Sequence, residues 1–319
     1  MDGILARLLP GEAVSGEALA RELGVTRAAV WKKIEALREE GFEIESAGRA
    51  GYRLLSCPDS LLPAVVRYGL ATAWAGREIE YHETLPSTNR LARQRAAEGA
   101  PEGFLVLAET QTEGRGRRGR GWITPPGEAV AMSLLLRPRA HPSKVAALSL
   151  LTALAAAEAI EEATGLPARI KWPNDIVIRG KKVSGILLEM DADEERVRSV
   201  VCGVGINAHQ RAFPEELRET ASSLDLLSGE TVSRAALVRA FLRRMEADRP
   251  LCGTDGFWAA YRARSATLGQ EVRVVAPEGS FTGRARAVTQ SGALLVETEG
   301  GTREVLAGDV SVRGLMGYV

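Results

Sequence analysis

Residues 114–122 read Gly-Arg-Gly-Arg-Arg-Gly-Arg-Gly-Trp, and this stretch separates the candidate folds of the chain. It contains the spacing Gly-x-Gly-x-x-Gly, which in a dinucleotide-binding fold lies between a strand and a helix. Here it is followed by Pro125, Pro126 and Gly127, which cannot begin a helix. The phosphate-loop spacing Gly-x-x-x-x-Gly-Lys-Ser/Thr is absent as well. The stretch therefore argues against both of these nucleotide-binding folds.

The same stretch holds four glycines and four arginines, which suits it to binding an anion. Glycine lets a backbone approach a ligand closely, and arginine forms charge-assisted, often bidentate hydrogen bonds with phosphate or carboxylate. Because the four like charges repel one another, we expect the loop to order when it closes over a phosphorylated or adenylated ligand. A segment that binds nucleic acid and a plain solvated loop are the two alternatives.

Strands and helices are mixed on both sides of this loop. Apolar and alternating runs predict strands at residues 79–82, 104–108, 132–136, 175–178, 184–190 and 197–204. Helices are predicted over residues 88–98, with Ser87 or Thr88 as the N-cap, and over 143–164. Since some strands follow one another directly while others alternate with helices, the pattern indicates an α+β fold with helices on a mixed or antiparallel sheet.

A second polar motif stands between two of these strands, where residues 171–175 read Lys-Trp-Pro-Asn-Asp. As structure alone it is a well-formed turn, since proline fixes the backbone and Asn and Asp satisfy turn amides. As a site it presents Asp175 to a metal ion or ligand. Lys182 follows seven residues later and could neutralise a carboxylate and an α-phosphate together, although by itself it is equally a surface lysine.

The first sixty residues predict a winged helix-turn-helix. Helical patterns at residues 16–23 and 27–40 are separated by a three-residue turn, and an alternating hairpin follows as the wing. Thr26 is the expected cap of the second helix. The predicted DNA contacts are Thr26, Arg27, Trp31 and Lys32 on this helix and Arg49 at the wing tip. The alternative is a small interaction module whose basic side chains are only solvated.

The C-terminal segment predicts a small β domain. Short strands are expected at residues 271–276, 281–288, 293–298 and 310–313, with glycines between them. Such regular turns indicate a barrel of the SH3-like kind.

Composition limits the function classes. The 319 residues carry 41 Lys+Arg and 41 Asp+Glu, so the formal net charge is zero. This excludes nucleic-acid binding driven by the overall charge of the protein but not binding through a local basic patch. Three widely spaced cysteines argue against a disulfide framework or a structural zinc site and indicate reduced thiols in the cytoplasm. No signal peptide is recognised, and the longest apolar run, 145–160, is too short to span a membrane.

Together these motifs resemble those of the biotin–protein ligase family, specifically its two-function members that are also repressors of the biotin operon. The resemblance rests on the following elements: Ser87-Thr88-Asn89, Gln111, residues 114–122, residues 171–175, Lys182 with Gly185, and residues 203–207. They occur in the family's order, and the two terminal domains extend the resemblance over essentially the whole chain. It implies a central mixed-sheet domain like that of class II synthetases.

The resemblance implies a two-step reaction in which biotin and ATP, with Mg²⁺, give biotinyl-AMP, and biotin then passes to a lysine of a carrier protein. By position, biotin would contact Ser87, Thr88, Asn89, Gln111, Arg115, Gly116, Arg117, Lys182 and Gly185. The nucleotide would contact Arg117, Arg118, Arg120, Trp122, Asn174 and Asn207. Lys182, Arg117 and Asp175 would be catalytic, with Asp175 helping to place metal or phosphate; no set of metal ligands is assigned. Gly121 departs from the bulkier residue often found there.

The resemblance also implies domains at residues 1–60, 61–265 and 266–319 for DNA binding, catalysis and the small barrel. The expected partners are the biotin carboxyl carrier protein of acetyl-CoA carboxylase, operator DNA and a second copy of the chain in a ligand-promoted homodimer. Two alternatives stay open, namely a ligase whose N-terminal domain does not regulate transcription and a ligand-sensing repressor without ligase activity.

Overall fold

Contacts within the computed structural model divide the chain into two units, Met1–Leu70 and Ala71–Val319. The structure describes residues 2–138, 141–142, 145–276, 279–307 and 311–314. The domain boundaries expected from the sequence stay predictions, and each unit is described by itself.

The first unit is a helix-turn-helix followed by a two-stranded wing. Its elements are α1 (Asp2–Leu8), α2 (Gly16–Leu23), α3 (Arg27–Glu39), β1 (Glu43–Ser46), β2 (Tyr52–Ser56) and α4 (Pro63–Arg67). Ile4, Leu19 and Ile34 are fully buried in its core. The two predicted helices are therefore confirmed, while α1 and α4 were not predicted.

Local chemistry explains the turn between α2 and α3. Gly24 has the left-handed backbone (φ +63°) that ends α2. Thr26 caps α3 as expected, because its hydroxyl accepts a hydrogen bond from the Ala29 amide at 3.2 Å. Arg38 at the end of α3 donates to the Ile44 carbonyl at 2.9 Å and to Ser46 Oγ at 2.9 Å, which holds the wing against the helix.

The second unit is built on a seven-stranded sheet. Its strands are β3 (Ile79–Leu85), β4 (Leu105–Gln111), β5 (Ala129–Leu136), β6 (Arg169–Lys171), β7 (Asp175–Ile178), β8 (Lys181–Ala192) and β9 (Val197–Asn207). The order is β3-β4-β5-β9-β8-β7-β6, in which β3 and β4 are parallel and the other pairs antiparallel. The expected mixed sheet is confirmed.

Helices cover this sheet on two sides. They are α5 (Thr88–Ala97), α6 (Val145–Thr164), α7 (Leu224–Ser228), α8 (Arg234–Asp248) and α9 (Asp255–Arg264). Helix α5 packs through Ala92 against Val106 and Leu135. The first two residues of the predicted helix 143–164 lie outside the described residues, and within the described ranges every helix is too short or too polar to cross a bilayer.

Strand alternation gives the sheet two different faces. Ser133, Gly203 and Leu187 are cross-strand neighbours on β5, β9 and β8, so they lie on one face, here called the pocket face. The next row, Leu134, Cys202 and Leu188, lies on the opposite face. Cys202 contacts Thr152 of α6 there, so this side is called the α6 face.

A five-stranded antiparallel sheet forms the C-terminal part of the second unit. Its strands are β10 (Glu271–Ala276), β11 (Gly279–Val288), β12 (Leu294–Thr298), β13 (Gly301–Val305) and β14 (Ser311–Gly314), in the order β13-β12-β11-β10-β14. Only four strands were predicted, because β13 has four exposed residues before Val305 and no apolar alternation. Val310, expected to begin the last strand, lies outside the described residues.

Candidate functional site

A cavity of about 840 Å³ opens on the pocket face of the central sheet. The following predicted residues all line it: Ser87, Thr88, Asn89, Gln111, Arg115, Gly116, Arg117, Arg118, Arg120, Trp122, Asn174, Asp175, Lys182, Gly185 and Asn207. Residues that are distant in sequence thus meet in one place, while their contacts with ligands stay predictions.

One end of the cavity is polar and uncharged. The Thr88 amide donates to Gln111 Oε1 at 2.8 Å, and Gln111 Nε2 donates to Thr124 Oγ1 at 3.2 Å, which fixes the orientation of the Gln111 amide. The predicted N-cap is confirmed, since Ser87 occupies the N-cap position of α5, but its side chain makes no capping hydrogen bond. The Thr88 hydroxyl lies 3.1 Å from Gln111 Oε1 instead.

Asn89 reaches across three strands at this end. Its Oδ1 accepts a hydrogen bond from Ser133 Oγ at 2.6 Å, and its Nδ2 donates to Glu189 Oε2 at 2.8 Å and to the Leu187 carbonyl at 3.2 Å. The side chain crosses directly over Gly203, where a Cβ would lie only 2.1 Å from Asn89 Oδ1. Glycine is therefore required at 203 for Asn89 to make these contacts.

The other end of the cavity is cationic. Lys182 Nζ lies 2.6 Å from Asp175 Oδ1, and both side chains are largely buried. Lys171 is also buried, and desolvation lowers its pKa to about 8. Asp175 raises this pKa, while Lys182, Arg313 and Arg120 lower it further. The cavity as a whole is lined by seven lysine and arginine residues and by three carboxylates, Asp175, Glu216 and Glu219. This excess of cations leaves a positive potential that favours an anionic ligand.

The arginine–glycine loop is held at both ends and in its middle. Backbone bonds from Gly116 to Arg120 (2.7 Å) and from Trp122 to Gly114 (2.9 Å) close it. Arg117 donates to Asn174 Oδ1 at 3.0 Å and to the Ala307 carbonyl in the C-terminal part of the unit. The loop thereby joins the Lys-Trp-Pro-Asn-Asp turn to the C-terminal sheet region.

Trp122 lies flat against glycines of the central sheet. Gly185 and Gly205 are cross-strand partners, and a Cβ on Gly205 would lie 2.3 Å from Trp122 Cε2. Lys182 Nζ is 5.6 Å from the centroid of the indole ring, within reach of a cation–π interaction. Because Gly185 and Gly205 have no side chains, they leave the space that the indole occupies.

Several lining residues were not predicted. Gln210 is buried and donates to Asn207 Oδ1 at 3.2 Å, while Asn207 donates to the Ser222 carbonyl at 3.1 Å. The connection that follows β9 also lines the cavity, and it is fixed by backbone bonds between Lys182 and Thr220 and between Ser222 and Lys182. Arg313 of β14 is a further lining residue. These positions belong to no sequence motif, so only the fold identifies them.

Metal-ligand clusters are not found among the described residues: no three His, Cys, Asp or Glu side chains come together there.

The first unit carries a separate candidate interface on α3. Arg27, Trp31 and Lys32 are exposed, and the Trp31 side chain keeps 57% of its surface in solvent. Val30, Ile34 and Leu37 of the same helix are buried, so the basic and aromatic residues occupy its outer side. The side chain of Arg49 lies outside the described residues, so its predicted DNA contact stays a prediction.

Comparison with known proteins agrees with this architecture. Family models match residues 81–207 (biotin/lipoate A/B protein ligase family), 3–53 (HTH domain) and 267–313 (biotin protein ligase C-terminal domain). The chain is 42% identical to the bifunctional ligase/repressor BirA of Bacillus subtilis, covering 94% of each protein. It is 30% identical to the Escherichia coli protein of the same name, over 97% and 96% of the two chains. The Aquifex aeolicus biotin protein ligase, solved with biotin and ATP, superposes with a TM-score of 0.65 at 30% identity, covering 75% of this chain and 99% of that one.

Proposed function

The chain belongs to the biotin–protein ligase family, in the form that joins a ligase to a DNA-binding repressor, and we propose that it carries out both activities. As a ligase it forms biotinyl-5′-AMP from biotin and ATP and transfers biotin to a lysine of the biotin carboxyl carrier protein of acetyl-CoA carboxylase. The observation that carries this proposal is the cavity itself, which joins an uncharged polar end at Thr88 and Gln111 to a cationic end at Lys182.

The first step joins two anions. A carboxylate oxygen of biotin attacks the α-phosphorus of ATP, a new P–O bond forms, and the bond to pyrophosphate breaks. Such a step needs positive charge at the phosphate oxygens more than it needs a general base. We assign that role to Lys182 and Arg117, with the remaining loop arginines on the nucleotide.

The second step consumes the mixed anhydride. The ε-amine of the carrier lysine attacks the acyl carbon, an amide bond forms, and AMP leaves with the electron pair while the amine proton passes to solvent. The anhydride is prone to hydrolysis, so closure of the arginine–glycine loop over it excludes water. Trp122 against Gly185 and Gly205 provides the apolar wall beside it.

Mg²⁺ fits the residues present at the cationic end. The ion is commonly held by one or two carboxylates together with substrate phosphates. Asp175 is a largely buried carboxylate that faces Lys182 in the cavity, and Asn174 precedes it in the same turn. We propose that Asp175 would hold Mg²⁺, whose charge would further neutralise the phosphates of ATP.

The ligase activity is tested by incubating the protein with biotin, ATP, Mg²⁺ and a carrier domain, and by measuring the intact mass of the carrier. A gain of one biotin that depends on ATP is the expected result. The absence of any gain with a folded protein and a competent carrier would overturn the proposal and favour a sensor without ligase activity.

For the first unit we propose repression of biotin synthesis, with biotinyl-AMP as corepressor and the cytoplasm as the shared compartment. Exposed Arg27, Trp31 and Lys32 on the outer side of α3 support DNA contact. A ligand-promoted homodimer would present two such helices to two half-sites of an operator.

DNA binding is tested by selection from a random 30-base-pair duplex library, followed by a salt titration of the selected sequence. We expect enrichment of an inverted repeat that depends on biotinyl-AMP and weakens steeply with salt. A library that stays random, with biotinyl-AMP bound, would instead support a ligase whose N-terminal domain does not regulate transcription.

A further inference from the structure

The direction of the Thr88 hydroxyl is set by a chain of hydrogen bonds that starts on strand β8. The Leu187 carbonyl can only accept a hydrogen bond, and it lies 3.2 Å from Asn89 Nδ2. Glu189 Oε2 accepts from the same nitrogen at 2.8 Å. The amide of Asn89 therefore has a single orientation, with its nitrogen toward β8 and its oxygen toward Ser133.

Ser133 transmits this orientation to Thr88. Because Asn89 Oδ1 can only accept, the single hydroxyl proton of Ser133 is committed to it, at 2.6 Å. Ser133 Oγ, fully buried on β5, then presents only lone pairs to Thr88 Oγ1, which lies 2.8 Å away. The neighbouring Gln111 Oε1, 3.1 Å from Thr88 Oγ1, is likewise an acceptor.

Both protein neighbours of the Thr88 hydroxyl thus offer lone pairs, so its one proton points into the protein. Toward the cavity, Thr88 offers an acceptor and no donor. We propose that Asn89, Ser133 and Glu189 are positioning residues that hold the Thr88 hydroxyl as an acceptor and thereby select a ligand with an N–H group at this end. This inference rests on the proposed function, in which that group is a ureido N–H of biotin.

If Ser133 positions the Thr88 hydroxyl, the site discriminates against a ligand that presents a hydrogen-bond acceptor to that hydroxyl. A purely structural role for Ser133 would not produce this selectivity. A ligand with oxygen in place of the N–H would put lone pairs against lone pairs. When Ser133 is replaced by Ala, the Thr88 hydroxyl loses its acceptor at 2.8 Å and keeps only Gln111 Oε1 at 3.1 Å. Rotation toward the ligand then costs less, so the penalty against the oxygen analogue falls. A change in stability or packing alone would leave the preference for biotin over the oxygen analogue unaltered.

The test uses biotin and two analogues in which one or the other ureido N–H is replaced by oxygen. Ligand-dependent exchange between ATP and pyrophosphate gives KM and kcat for the wild type and for Ser133→Ala. We expect the KM for biotin to rise roughly tenfold, the loss of one hydrogen bond, with kcat and the KM for ATP within twofold. The preference of the variant for biotin over one analogue should shrink at least tenfold.

Ser184→Ala is the matched control. Ser184 is also fully buried in the central sheet, but it lies on the α6 face and its hydroxyl donates to the Gly205 carbonyl at 2.7 Å. Its removal deletes a hydroxyl of the same kind without touching the relay, so biotin KM and analogue selectivity should stay at wild-type values.

Glu189 gives a second, surface-accessible probe, because its side chain is one third exposed. Glu189→Lys places a donor where Asn89 Nδ2 needs an acceptor and should raise the KM for biotin roughly threefold. Glu189→Gln keeps an acceptor oxygen, so it should leave the KM for biotin unchanged. Unchanged analogue selectivity in Ser133→Ala, or equal effects of the two Glu189 variants, would overturn the relay. Failure of the wild type to exchange pyrophosphate would instead overturn the proposed function.

Discussion

The pocket face and the α6 face of the central sheet belong to the same strands but use side chains in opposite ways. Along the α6 face, Leu134 and Cys202 are fully buried apolar neighbours beneath a helix. One residue away, the pocket face carries Ser133, Gly203 and Gly205. Large apolar side chains fill the first face, whereas small residues leave space on the part of the second face that lines the cavity.

This difference separates stability from recognition. Apolar area removed from water stabilises the α6 face at roughly 25 cal/mol per Å². On the pocket face, Gly203 and Gly205 make room for Asn89 and Trp122, and buried polar groups are held in fixed directions. We therefore expect substitutions on the α6 face to act on the free energy of unfolding and those at the cavity-lining positions of the pocket face to act on ligand binding and rate.

The largest expected effect is on the cationic end of the cavity. Lys182→Ala removes the cation 2.6 Å from Asp175 and should lower the rate of pyrophosphate exchange about a thousandfold, as for loss of a preorganised charge at a transition state. Lys181→Ala is the control, since the neighbouring Lys181 donates to the Arg218 carbonyl at 3.0 Å instead. A Lys182 variant with near-normal exchange would refute the assigned role.

On the α6 face the matching experiment is Leu134→Ala. Leu134 is fully buried, so deletion of its side chain should lower the free energy of unfolding by about 3 kcal/mol through lost burial and the remaining cavity. Urea denaturation measures this change, and the KM for biotin should stay within twofold at temperatures where the variant is folded. A large rise in that KM with little loss of stability would erase the distinction between the faces.

Much of this architecture could be predicted from sequence because it has local causes. Thr26 and Gly24 place the turn between α2 and α3, and the arginine–glycine and Lys-Trp-Pro-Asn-Asp motifs are contiguous. The motifs of the central domain do line one cavity. The short helix α1 also has a local pattern, since Ile4, Leu5 and Leu8 are buried, but it was missed at the chain start.

The rest depends on strand register, which no single stretch encodes. Ser133, Gly203 and Leu187 meet only because β5, β9 and β8 pair in one register. A buried serine on an apolar strand gives no sign of a partner 44 residues earlier in the chain. Strand β13 was missed for the opposite reason, since its exposed residues show no apolar alternation.

A smaller effect is expected when volume is added to the pocket face. Gly205→Ala places a Cβ 2.3 Å from Trp122 Cε2, so the indole must move, and exchange activity should fall roughly thirtyfold, as for a misplaced active-site group. Unfolding free energy should change by less than about 1 kcal/mol, the span of strand propensities. Gly121→Ala is the control, because a Cβ there meets nothing within 4 Å. Equal activity losses in both variants would contradict the steric explanation.

The smallest expected effect is a pH dependence that originates at Lys171, a buried lysine that lines the cavity. Its pKa of about 8 lies below the value of 10.5 for an exposed lysine, chiefly because of desolvation. Between these two pH values the unfolded chain binds a proton that the folded chain has released, so stability rises with pH; below pH 8 both states are protonated and the slope vanishes. From pH 7.5 to pH 9 the gain in the free energy of unfolding should be about 1 kcal/mol.

Urea denaturation of the wild type and of Lys171→Met over this range isolates the effect, because the variant lacks the titrating group. Parallel stability profiles for the two proteins would show that Lys171 titrates outside this range, and the pocket face would then carry no measurable electrostatic penalty at this position.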